Sequence, residues 1–283
     1  MDCAKGIGIV SSNRKPILEF EGVDRVPIPM PPLICVPTTS GSSADVSQFA
    51  IFRDTRERVK IAVVSKAVVP DVALIDPETL VTLSPYLTAC TGIDALVHAI
   101  EAFVSTAHSP VTDLHALEAI RLVSSSLLEA VSRPEDVELR GRVMLGSLEA
   151  GLAFSNASLG AVHAMSHSVG GFLDLPHGEC NAILLDPVIA FNFDTAGDRY
   201  RKIAEALRLD LRGMNDRAVR SAIIGEIGRL KRAAGIRDRL GERGVGTSDL
   251  AELARKALRD PCIVTNPRRP NARDIEVVYE EAL

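Results

Sequence analysis

At 283 residues, 46% hydrophobic and 24% charged, the chain is long enough for one large domain or two ordinary ones around a sizeable core. Its net charge of −5, with both signs interspersed, excludes the basic field that nucleic-acid or anionic-membrane binding requires and points to a small-molecule partner. Cys3, Cys35, Cys90, Cys180 and Cys262 form no CxxC pair and are odd in number, so they read as reduced thiols of a cytoplasmic protein. They suit neither a disulfide framework nor a zinc knuckle.

The start, MDCAKGIGIVSSNRK, lacks the pattern of a signal peptide, and no apolar run of about 18 residues stands out as a membrane span. Over residues 1–80 turn-rich stretches alternate with short Val- and Ile-rich runs, PLICVPT (32–38), KIAVVS (60–65) and VALID (72–76). These read as strands of a sheet covered on both faces. From Ser84 onward apolar residues recur at three- and four-residue spacing. Helices are expected near 84–104, 109–131, 134–154, 159–170, 178–191, 197–208, 216–234, 247–259 and 272–282. Ser84-Pro85 and Ser109-Pro110 pair an N-cap residue with proline at the first helical position, Pro134 stands in a similar place, and Gly170-Gly171 and Gly235 read as stops. The predicted architecture is therefore an α/β portion over 1–83 followed by an all-helical portion over 84–283, with the cleft between them as the default ligand site.

The six histidines are unevenly placed. Asp94 and His98 stand four apart on a predicted helix, so both project from one face about one turn apart. His163 and His167 repeat that spacing, and His177 follows in the turn sequence DLPHGECNA. Both pairs lie in apolar surroundings, where an unpartnered carboxylate is costly, so Asp94 requires a cation or a hydrogen-bond network. One such histidine would be an ordinary core or cap residue; two pairs and a turn histidine together point to a divalent metal site with an open coordination position. Ligand chemistry admits Fe²⁺, Zn²⁺, Co²⁺, Ni²⁺ or Mn²⁺. His108 and His115, near the start of a predicted helix, are given no role.

The segments PTTSGSSADVSQFAIF, VVPDVALIDPETL, YLTACTGIDALVHAIEAFVS, GLAFSNASLGAVHAMSHSVGGFLDLPHGECNAILL and TNPRRPNARDIEVVYEEAL resemble successive blocks of the iron-containing (group III) alcohol dehydrogenases. That family's D-x3-H and H-x3-H-x9-H pattern is matched by Asp94, His98, His163, His167 and His177. The resemblance implies that Asp94, His98, His163 and His177 hold Fe²⁺, Zn²⁺ or another divalent metal. It places His167 beside them as the catalytic proton relay. It also implies a dinucleotide-binding α/β domain joined to a helical metal domain, with NAD(P) contacted by Thr38, Thr39, Ser42, Phe49 and Lys60. The implied reaction is hydride transfer between a small primary alcohol or aldehyde and NAD(P), in a homodimer or larger homo-oligomer.

Relatives carry a GGGS turn, which cradles the pyrophosphate, immediately before the segment that here reads MDCAKGIGIV, and the GIG at 6–8 is no substitute for it. A truncation there predicts half a cofactor site and weak NAD(P) binding. Two competing readings are an inactive metal-binding fragment and a related glycerol-type polyol dehydrogenase. The His163-x3-His167-x9-His177 series argues against the latter. Cys262, in RDPCIVTNPR, reads as a buried structural thiol.

Overall fold

The computed structural model describes residues 1–173, 175–236 and 239–283. Helix α1 (Asp2–Asn13) opens the chain and ends on Arg14 in the left-handed conformation. The turn-rich reading of residues 1–80 placed no helix here, although Gly6 and Gly8 lie within one. Both are packing positions: a Cβ would come within 2.7 Å of the Phe52 ring at Gly6 and 2.8 Å of Met30 at Gly8.

Strands β1 (Gly22–Val23), β4 (Val59–Val64) and β3 (Phe49–Asp54) form one sheet in the order β1-β4-β3, while β2 (Ile34–Cys35) and β5 (Val72–Ala73) pair separately in parallel. The runs at 60–65, 32–38 and 72–76 thus contain strands, but two of them shrink to two-residue pairs, in keeping with the dense prolines of this stretch. The hairpin of β3 and β4 was not anticipated. It is antiparallel, with Phe49 opposite Val64 and Asp54 opposite Val59. Its turn is held by Asp54 Oδ1, which accepts from Arg56 N at 2.8 Å.

Beyond this sheet the chain is helical: α2 (Pro85–Val104), α3 (Pro110–Ser132), α4 (Val137–Ala157), α5 (Ala161–Leu173), α6 (His177–Ala206), α7 (Asp216–Ala233), α8 (Leu250–Ala257) and α9 (Ala272–Ala282). An α/β portion joined to an all-helical one is what the sequence pattern predicted. Ser84 Oγ accepts from Leu87 N and Ser109 closes a reciprocal capping box with Thr112, each before proline at the first helical position. Pro134 does not start α4; Asp136 caps it instead, accepting from Leu139 N at 3.1 Å. Gly170 and Gly171 do not end α5 either. They lie inside it, and Gly171 lets the β4 backbone approach, since a Cβ there would sit 2.6 Å from Val59 Cα. The two helices expected near 178–191 and 197–208 correspond to the two parts of α6, which meet at a kink where Ala196 is non-helical.

Helix α2 is the centre of the core, packed against α3, α4 and α6. By length and composition it is apolar enough to cross a membrane, contrary to the expectation that no such run stands out, but 89% of its apolar window is buried inside the fold. That position explains its composition. A helix apolar on every side belongs in an interior, and each polar residue kept within it requires a partner.

Candidate metal centre and its pocket

Beyond Thr88 and Thr91 in its first half, α2 buries an acid, an imidazole and a second acid, Asp94, His98 and Glu101, all at most 4% exposed. Their i, i+4, i+7 spacing puts them on one stripe. Opposite lies α5, carrying His163 and His167, buried to 1% and 3% exposure. His177 is the first residue of α6, and Asn181 follows one turn later on the same face.

The ligand atoms of Asp94, His98 and His163 lie within 4.8 Å of one another. The His98 and His163 rings stack at 4.4 Å, and His177 meets His163 edge-on at 5.4 Å. At the centre of this group is the Asn181 amide. Its Nδ2 donates to Asp94 Oδ1 at 2.6 Å and lies 3.1 Å from His163 Nε2 and 3.3 Å from His177 Nε2. An amide nitrogen carries two hydrogens, so three converging acceptors exceed what it can satisfy. His98 Nδ1 and Asn181 Oδ1 are buried without a hydrogen-bond partner. Around Asn181 the acceptors outnumber the hydrogens offered to them, an arrangement that suits a cation.

Burial holds the imidazoles neutral: it lowers His98 to about 4, His163 to about 3 and His177 well below the ordinary histidine value. Neutral rings keep a lone pair for a metal at physiological pH. One carboxylate and three neutral imidazoles fit a divalent transition metal with at least one position open. Other side chains fix the ring orientations. Ser166 Oγ lies 3.1 Å from His177 Nδ1, and Glu101 Oε2 lies 2.6 Å from His163 Nδ1. Burial raises Glu101 to about 7 against the pull of its backbone donors.

His167 is adjacent and bonded differently. Its ring stacks on His177 at 5.2 Å, but its Nδ1 is 2.8 Å from Asp260 Oδ2, and Asp260 is itself held by Cys262 N at 2.8 Å. Cys262 is fully buried, its thiol raised well above the ordinary value by burial, as the structural reading required.

A cavity of about 370 Å³ opens beside these residues, walled by His98, His163, His167 and His177 on one side and by Phe49, Phe154, Leu159, Ser42 and Lys60 on others. Ser42, Phe49 and Lys60 from the sequence-derived cofactor set therefore line it. Thr38 and Thr39 do not; they occupy the bend after β2, Thr38 exposed and Thr39 half-buried. Gly41, within that run, is small because it packs on α2, where a Cβ would meet Thr91 O at 2.7 Å.

Two family models match the chain, "Iron-containing alcohol dehydrogenase" over residues 1–77 and "Fe-containing alcohol dehydrogenase family, C-terminal" over residues 88–283. The chain belongs to the iron-containing alcohol dehydrogenase family. It is 36% identical over 281 residues to the 1,3-propanediol dehydrogenase of Klebsiella pneumoniae, covering 99% of this chain and 73% of that protein. To the NAD-dependent methanol dehydrogenase of Bacillus methanolicus it is 37% identical, covering 100% and 74%. The solved alcohol dehydrogenase from Oenococcus oeni superposes with a TM-score of 0.96 at 34% identity, over 100% of this chain and 74% of that one.

Within this iron-containing alcohol dehydrogenase fold, sequence reasoning brought Asp94, His98, His163, His167 and His177 to one place but missed Glu101, Asn181 and Asp260. Glu101 had a signal, since it falls three residues after His98 on the same helical face. Asn181 and Asp260 had none beyond their residue types. His108 and His115 stand apart, His108 exposed beside Asp113 and His115 half-buried beside Glu149, with His115 Nδ1 2.5 Å from Glu149 Oε2.

Proposed function

We propose that Asp94, His98, His163 and His177 hold one divalent metal, iron by family, and that the adjoining cavity takes a small primary alcohol or its aldehyde for hydride exchange with NAD(P). The observation that carries this reading is the convergence of Asp94 Oδ1, His163 Nε2 and His177 Nε2 on a single amide nitrogen. When bound, the metal supplies Lewis acidity to the substrate oxygen and the nicotinamide supplies the hydride acceptor or donor.

The chain's own residues do the rest. Phe49, Phe154 and Leu159 form apolar walls that favour a short uncharged carbon chain and exclude water. With Nδ1 engaged by Asp260, His167 keeps Nε2 to take up and release the substrate proton. Ser42, Phe49 and Lys60 line the cavity on the side we assign to the cofactor, with Thr38 and Thr39 on the bend leading to it. Residues 1–83 are then the cofactor-domain portion and 84–283 the metal domain. Exposed apolar side chains such as Ile7, Ile34 and Leu74 support a homo-oligomer, and five free cysteines support a cytoplasmic location.

The test is the visible absorption of Co²⁺-loaded protein titrated with 1-propanol or propanal. Saturable spectral change with both, and none with propane-1-sulfonate, is expected. A spectrum indifferent to alcohol and aldehyde contradicts the reading.

A further inference from the structure

Glu101 has more donors around it than a helix cap requires. Its Oε2 accepts from Gly160 N at 3.1 Å and His163 N at 3.3 Å, its Oε1 from Val162 N at 2.6 Å, and the His163 ring approaches Oε2 through Nδ1 at 2.6 Å. Gly160 is part of this approach, for a Cβ there would lie 2.9 Å from Glu101 Oε1. The backbone share of this duty could be met by a neutral acceptor. Asn266 does so next door, where its Oδ1 accepts from Ala161 N at 3.1 Å without burying a charge. A carboxylate at 3% exposure is costly unless something beyond the helix end uses it.

The ring supplies that use. Asn181 Nδ2 donates toward His163 Nε2, so Nε2 bears a lone pair and the ring proton belongs on Nδ1, facing Glu101. A carboxylate there fixes the tautomer and rotation of the ring and strengthens Nε2 as an electron donor. We propose that Glu101 is a positioning residue of the metal centre, orienting His163 through Nδ1–H so that Nε2 is presented to the cation. The inference rests on Asp94, His98, His163 and His177 being the metal ligands. It adds that α2 builds the centre from three residues, Asp94 and His98 as ligands and Glu101 as the orienting anion for a ligand on another helix.

Two measurements test it on the whole chain. In metal-free wild-type protein, long-range ¹H–¹⁵N correlation of the histidine rings should show His163 as the Nδ1–H tautomer; the Nε2–H tautomer overturns the proposal. This measurement stands even if a variant fails to fold. In Glu101→Gln, Co²⁺ affinity measured by chelator competition should fall roughly 10- to 100-fold. Asn266→Ala, which removes a cap of α5 together with the bonds Asn266 makes to Asn192 and Arg268 O but takes nothing from the His163 ring, should lower the unfolding temperature and leave Co²⁺ affinity within about threefold of wild type. Equal Co²⁺ affinity in Glu101→Gln and wild type overturns the inference alone. Wild-type protein that binds no Co²⁺ overturns the metal-centre reading and the inference with it.

Discussion

Gly178 of α6 lies so close to Cys90 of α2 that a Cβ on the glycine would overlap the Cys90 carbonyl oxygen. The contact sits between His177 and Asn181 on α6 and one turn before Asp94 on α2, so it sets how near the helix start comes to the rest of the site. Gly178→Ala should displace that first turn and destabilise the fold by about 1–3 kcal/mol, the usual range for overpacking. It should also weaken divalent-metal binding. Denaturant unfolding and metal content measured on the same preparation check this; wild-type values for both would show that α6 shifts at no cost.

His167 and His177 stack, yet only the first has its Nδ1 on a carboxylate. His167→Ala should therefore keep the metal and lose turnover, by roughly the 10²–10⁴-fold typical of acid–base groups. Asp260→Asn should keep the metal as well, with a smaller loss carried by kcat rather than KM. Metal content and alcohol-dependent NAD(P)⁺ reduction are the readouts. Loss of metal from the His167→Ala protein would make His167 a ligand.

Lys5 is fully buried in α1, donating to Ser47 O at 2.7 Å and Phe49 O at 2.8 Å, behind the cavity wall that Phe49 forms. Burial lowers its pKa to about 8 from an ordinary value of 10.5. Between those values the unfolded chain holds the proton more tightly than the folded one, so stability rises with pH across the window. Below it, both states are protonated and the full cost of burying the charge is present. The unfolding free energy of wild type relative to Lys5→Met should therefore increase from pH 8 to 10.5, as followed by chemical denaturation; a flat difference would mean that Lys5 folds without a desolvation cost.

Much of the site was legible because its residues obey helical spacing. Asp94 and His98, and His163 and His167, are each four apart, and Ser84-Pro85 and Ser109-Pro110 marked helix starts where the structure has them. What was not legible depends on contacts distant in sequence. Asp260 reaches His167 across 93 positions, and Asn181 reaches Asp94 across 87. Several local misreadings share one cause, glycine. Gly6, Gly8 and Gly171 lie within helices because another element presses on them, whereas Gly235, with φ of 76°, does end a helix. Spacing alone does not distinguish the two uses.

Four residues from three helices, Asp94, His98, His163 and His177, are proposed to hold one metal. The most direct test is elemental analysis by inductively coupled plasma mass spectrometry of the whole chain and of His177→Ala, each refolded or reconstituted with Fe²⁺ or Zn²⁺ and desalted. About one tightly held ion per wild-type chain is expected, with loss of that stoichiometric occupancy in the variant, because removing one ligand weakens the site and leaves Asp94 less well compensated. Unchanged one-to-one occupancy in His177→Ala would contradict the assignment.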